Sequence, residues 1–125
     1  MSRTNSGIWI VNGFILSCNA NEISNLDVNI SRCLNSSQDD VQHPKSFADI
    51  FKPVLEAYGV KSFKTFMQNS KCVEIERMGN TISFIATRNE GHKNGFVTID
   101  NLKNTITIGQ YSLGETAMAC LKSSL

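Results

Sequence analysis

The stretch from Cys72 to Thr87 constrains this chain more than any other. In Cys72–Met78 (CVEIERM), Val73 and Ile75 fall on one side of an extended chain, and Glu74 and Glu76 on the other. Thr81–Thr87 (TISFIAT) follows across Gly79-Asn80, a two-residue turn in which glycine supplies the positive φ. That turn sets the register. Met78 faces Thr81, Arg77 faces Ile82, Ile75 faces Phe84 and Val73 faces Ala86. The apolar residues of both strands then share one face, as a half-buried antiparallel sheet requires. A slip of one residue would put Ile75 on the wrong side from Phe84.

The flanks extend this unit. Ser62 is placed to cap a short helix that presents Phe63, Phe66 and Met67 on one face. After the hairpin, Arg88–Asn94 (RNEGHKN) is a charged loop closing on Gly95-Phe96. Two β-branched runs, Phe96–Ile99 and Thr105–Ile108, predict a second strand pair across Asp100–Asn104. Ser112-Leu113-Gly114-Glu115 is a capping box opening a last helix with Leu113, Ala117, Cys120 and Leu121 inward.

On the N-terminal side, residues 1–6 are polar and read as loose. Ile8–Val11 is a first strand, and Phe14–Cys18 is its continuation or its hairpin partner across Asn12-Gly13. The run is expected to be buried. Ile15-Leu16-Ser17-Cys18 loosely imitates a bacterial lipoprotein cleavage box, but Asn12-Gly13 interrupts the apolar run and the positive region is the single Arg3. Asn25 is read as the cap of a helix over Leu26–Leu34 with Leu26, Ile30, Cys33 and Leu34 inward, and Asn35–Lys45 as a surface loop. A further helical region starts at Ser46, breaks or restarts at Pro53 and stops at Gly59, with Phe47, Ile50 and Phe51 and then Val54, Leu55 and Tyr58 as its apolar residues. LDVNISRCLNSS from Leu26 also echoes LGETAMACLKSS from Leu113. Two similar amphipathic helices over one sheet explain the echo as well as a duplication does. The expected fold is therefore α/β of the α+β kind: one domain over residues 1–125, a mainly antiparallel sheet with hairpins, covered by about four short helices.

Composition limits the function. The 125 residues are 41% apolar, and 12 basic against 11 acidic side chains leave a net charge of +1. That balance argues against a general nucleic-acid binder, which needs a basic surplus over phosphate. Lys45, Lys52, Lys61, Lys64 and Lys71 make the middle helices locally basic, but few exposed aromatics are expected among them, so the series reads as a solvated face. Cys18, Cys33, Cys72 and Cys120 form no CxxC pair and lie near neither His43 nor His92, so they read as reduced, buried hydrophobes rather than a zinc site or disulfide framework. There is no phosphate-binding glycine loop or serine elbow. His92, between Glu90 and Lys93, lacks a partner at motif spacing. No cofactor, metal site, direct nucleic-acid contact or membrane span is expected, and the class indicated is a non-enzymatic binding protein.

Ala57–Phe96 resembles a segment found in immunity proteins of bacterial contact-dependent growth inhibition systems. The pattern there is an A-[FY]-G-x-[KR]-S-[WF]-x-x-F helix, a strand, a turn, a strand ending in a Thr-x-Asn loop, and a Gly-Gly-Phe-like strand start. Here it is carried by Ala57, Tyr58, Gly59, Lys61, Ser62, Phe63, Phe66, Thr87, Asn89, Gly95 and Phe96. The Leu113-Gly114-Glu115 helix and the Leu26 helix are similar to the family's paired Leu-Gly helices. Asn94 and Asp27 stand where that pattern has glycine. The resemblance implies a cytoplasmic protein that binds and neutralises the C-terminal toxin domain, in this family nucleases among others, of a cognate effector; a monomer or weak dimer is expected. In such complexes a toxin hairpin can add to the immunity protein's sheet. Physical candidates for the contact are Glu74 and Glu76 on the hairpin and Arg88, Glu90, His92 and Lys93 in the loop. The alternative is a non-enzymatic adaptor, or a domain that dimerises through an open sheet edge.

Overall fold

The computed structural model describes residues 1–125. Its order is β1 (Ser2–Arg3), β2 (Trp9–Ile10), α1 (Ile23–Ser36), α2 (Lys52–Tyr58), α3 (Phe63–Met67), β3 (Val73–Met78), β4 (Thr81–Asn89), β5 (Phe96–Thr107) and α4 (Leu113–Lys122). β3-β4-β5 is an antiparallel sheet with β4 central, and β1-β2 is a separate small ribbon. This is the expected α+β fold.

The β3–β4 register is the one the turn dictates, from Met78↔Thr81 to Val73↔Ala86. Gly79 has φ 59° and Asn80 is not left-handed, the type II′ arrangement whose twist suits flanking strands. One sheet face is apolar, and α1 and α4 lie over it. Ile82, Phe84 and Ile106 meet Ile30 of α1 and Ala117 of α4, with Leu26, Leu34, Val73, Ile75, Leu113 and Cys120 packed around them. Ser112 caps α4 by accepting from the Glu115 N–H (3.1 Å), and Ser62 caps α3 by accepting from the Thr65 N–H (3.1 Å). Gly59 ends α2 in the left-handed conformation, φ 77°.

Several expectations are corrected. Residues 1–6 are not loose: Ser2 and Thr4 are almost fully buried. β1 pairs with β2, and the Arg3 N–H donates to the Gln38 carbonyl (2.7 Å). The strand partner of Trp9-Ile10 is therefore Ser2-Arg3 and not Phe14–Cys18, which forms no strand. Asn12-Gly13 is instead an Asx turn, in which Asn12 Oδ1 accepts from the Phe14 N–H (3.0 Å). Ile8, Trp9 and Phe14 remain 45%, 45% and 36% exposed, so the apolar run does not enter the core. α1 begins at Ile23 rather than Leu26, and Asn25 lies inside it, donating to Glu22. Helix does not start at Ser46, whose hydroxyl makes a local turn with the Ala48 N–H (3.2 Å); α2 starts at Lys52 with Pro53 in its first turn, where no N–H is required.

Phe96–Ile99 and Thr105–Ile108 do not pair with each other. Both stretches pair with β4 instead, Phe96–Thr98 opposite Thr87–Asn89 and Thr105–Thr107 opposite Thr81–Ser83, as parts of the single strand β5. Between the pairs Ile85↔Lys103 and Thr87↔Thr98, Ala86 alone stands opposite the Ile99–Leu102 excursion. Turn-forming Asp100-Asn101 is accommodated as a bulge because β4 is long enough to pair on both sides of it.

Candidate functional site

The six sequence-derived candidates do not form one surface. Glu74 and Glu76 sit on β3, opposite Ile85 and Ser83. By strand alternation they occupy the sheet face away from α1 and α4. Arg88 shares the parity of Phe84 and Ala86 and so belongs to the helix-covered side, at the far end of β4. Glu90, His92 and Lys93 lie beyond it. Five residues of strand separate the level of Glu74 from Glu90, about 16 Å at 3.3 Å per residue.

β3 is an edge strand. No other backbone segment bonds to its outer side. In a two-residue hairpin the pair flanking the turn exchanges ladder bonds, so Met78, Glu76 and Glu74 point their backbone groups at β4. Val73, Ile75 and Arg77 then point N–H and C=O outward. The opposite edge, β5, carries its excursion and the charges of Asp100 and Lys103, devices that discourage strand addition. Glu74 and Glu76 have no cationic partner, since the ion pairs of the molecule are Arg3–Asp39 (3.1 Å) and Arg88–Glu90 (2.9 Å). Crowding out of water, then the neighbouring Glu76 charge, holds the Glu74 carboxyl above its ordinary range.

The Glu90–Gly95 loop is braced. The Glu90 N–H donates to the Gly95 carbonyl (2.9 Å) and the Gly95 N–H to the Gly91 carbonyl (2.7 Å). Arg88 Nε reaches Glu90 Oε1 (3.0 Å). His92 and Lys93 project exposed from its tip. Beneath it, Asn89 Nδ2 donates to the carbonyls of Met67 (2.7 Å) and Ser70 (2.9 Å), while its Oδ1 accepts from the Gly91 N–H (2.9 Å). Thr87, fully buried, donates through Oγ1 to the Cys72 carbonyl (2.7 Å). Thr87 and Asn89 are thus scaffold residues that lock α3 and the start of β3 to β4.

Sequence reasoning missed a cleft of about 250 Å³ between α1, β4 and the β5–α4 turn, where Asp27, Arg77, Tyr111 and Ser112 meet an apolar floor of Leu34, Ile82 and Leu113. Asp27 and Ser112 could not have been paired in advance, being 85 residues apart. No helix is long and apolar enough to cross a membrane.

No family model and no curated protein matches the chain. A solved structure of a protein of unknown function from Neisseria meningitidis superposes on it with a TM-score of 0.66 at 12% identity, covering 90% of this chain and 75% of that one. At that identity the likeness is one of fold, and the arrangement of helices and sheet is what the two proteins share.

Proposed function

We propose that this protein is a non-enzymatic, cytoplasmic immunity protein that binds and neutralises the C-terminal toxin domain of a contact-dependent growth inhibition effector. The reading rests on the family resemblance of Ala57–Phe96. The observation that carries it into mechanism is β3, a six-residue edge strand with an unpaired outer side and a carboxylate pair lacking any counter-charge. A toxin strand adding there would gain main-chain hydrogen bonds, and basic side chains at alternate positions would meet Glu74 and Glu76. The braced loop carrying His92 and Lys93 is a second contact whose ordering costs little on binding, because its backbone is already hydrogen-bonded.

The test is affinity for the toxin domain encoded beside this gene, at low and high salt, with unrelated toxins as controls. Tight binding to the neighbouring toxin alone supports the reading. Binding to none, or equally to all, overturns it.

A further inference from the structure

A row of aromatic rings lies outside the main core, in α2, α3 and the turn before them. Phe63 is stacked between Phe51 (centroids 4.8 Å, planes 25° apart) and Phe66 (6.0 Å, 21°). Tyr58 closes the row edge-on to Phe66 (5.3 Å, 85°). The row is not sealed. Phe51 is 39% exposed with an aromatic neighbour on one side only, Tyr58 is 64% exposed, and Phe47, four residues before Phe51, is 46% exposed.

The charge around this row is one-sided. Residues 45–71 hold five lysines against Asp49 and Glu56, a net +3 in a chain whose total is +1. All five lysines are exposed, and neither ion pair of the molecule involves them. The reading of this series as a plain solvated face rested on a shortage of exposed aromatic rings; the structure supplies those rings.

We propose that the α2–α3 unit is a binding surface for single-stranded nucleic acid, with bases stacking on Phe51 and Tyr58 and phosphates held by Lys52, Lys61 and Lys64. Exposed rings and exposed lysines on one short segment are the two components of sequence-tolerant single-strand recognition. Other anionic partners fit less well. Protein interfaces are depleted in lysine and enriched in arginine, and this segment has no arginine. Membrane insertion would need rings free to enter the headgroup layer from one apolar helix face, whereas these rings stack on one another. A duplex hides its base faces. The proposal is independent of the toxin-binding reading, since the surface lies on different elements from β3.

The test is fluorescence anisotropy of the full chain with a labelled oligothymidylate of about ten nucleotides, at about 50 and 200 mM salt. Neutralising three to five phosphates predicts micromolar binding that weakens about 20- to 100-fold over that salt range. Phe51→Leu, which keeps the packing and removes the ring face, should weaken binding about tenfold, and so should Tyr58→Leu. The triple change Lys52→Glu, Lys61→Glu, Lys64→Glu, all at exposed positions, should abolish it. Circular dichroism and thermal melts establish that each variant is folded. Polyglutamate and phosphatidylserine vesicles serve as competitors. No binding at low salt overturns the proposal. So does binding that is indifferent to both ring substitutions in folded protein, or equally tight capture of polyglutamate or vesicles.

Discussion

Gly114 and Asp27 decide how closely α1 and α4 approach. A Cβ built on Gly114 would lie 2.8 Å from the Ile23 carbonyl oxygen and 3.1 Å from Asp27 Oδ1. Glycine to alanine inside a helix normally stabilises by about 0.5–1 kcal/mol. Here the clash is with backbone, which cannot swing aside, so Gly114→Ala should destabilise by about 1–3 kcal/mol in urea unfolding. Asp27 is the complementary partner. Its carboxylate accepts from Ser112 Oγ (2.8 Å) and from the Gly114 N–H, capping α4 from a neighbouring helix. Asp27→Ala should cost about 1–2 kcal/mol, read from the same transition, and Asp27→Asn should recover part of it. Asp27, which stands where the pattern it was compared with has glycine, therefore has a structural reason. Cys72 behaves differently. Burial, then the Glu74 charge, pushes its thiol up to about 11 from 9.0. Folding thus retains a proton that the unfolded chain releases near pH 9. Its contribution to stability is complete below that pH and is lost as pH rises through about 11. At pH 8 iodoacetamide should alkylate Cys72 about 100-fold more slowly in the folded protein than in urea, followed by peptide mapping.

At the scale of elements, the β3–β4 hairpin was legible to the residue because turn and alternation are both local, and they agree. β5 and the N-terminal ribbon were not. Phe96–Ile99 and Thr105–Ile108 satisfy a hairpin pattern, but β4 was a better partner for both stretches, and no local signal reports a third strand. Ser2-Arg3 carries no strand propensity at all; its pairing and the burial of Ser2 come from tertiary bonds to Gln38 and Trp9-Ile10. The candidate site was half legible. Alternation placed Glu74 and Glu76 on a shared polar face, but which strand would be an edge depends on where β5 pairs. That edge makes a sharp prediction. Arg77 directs its N–H away from β4, so Arg77→Pro deletes an outward donor without removing a ladder bond. It should leave the melting temperature within a few degrees of Arg77→Ala, yet lower affinity for the proposed toxin partner about tenfold or more, as titration calorimetry would measure. Equal affinity of the two variants would place the contact elsewhere. Glu74→Gln separates charge from pairing: it should slow association and flatten the salt dependence with less effect on dissociation.

Across the whole molecule, the core is confined to one part of the fold. The buried apolar cluster is Ile30, Ile82, Phe84, Ile106 and Ala117, drawn from α1, β4, β5 and α4. α2 and α3 contribute none of that cluster, and their one buried apolar side chain is Met67 of α3. They carry their own stacked phenylalanines and are fastened to the sheet through Asn89 and the carbonyls of Met67 and Ser70. Two hydrogen bonds, the single buried side chain of Met67 and a half-exposed aromatic row hold less strongly than an apolar core flanked by two long helices. The α2–α3 unit should therefore open in sub-global steps while α1, α4 and the sheet stay closed. In native-state hydrogen exchange, amides of β4 and of the facing turns of α1 and α4 should exchange only by global unfolding, and those of Val54–Met67 faster by 10-fold or more. Two substitutions make the division decisive. Phe84→Ala removes a fully buried ring and should lower global stability by about 3–5 kcal/mol, accelerating exchange everywhere. Phe63→Ala should accelerate exchange in α2 and α3 and leave the protection of β4 unchanged. If Phe63→Ala instead lowers protection in β4 as much as in α3, the two clusters form one cooperative unit. The lysine-bearing surface would then be as rigid as the sheet edge.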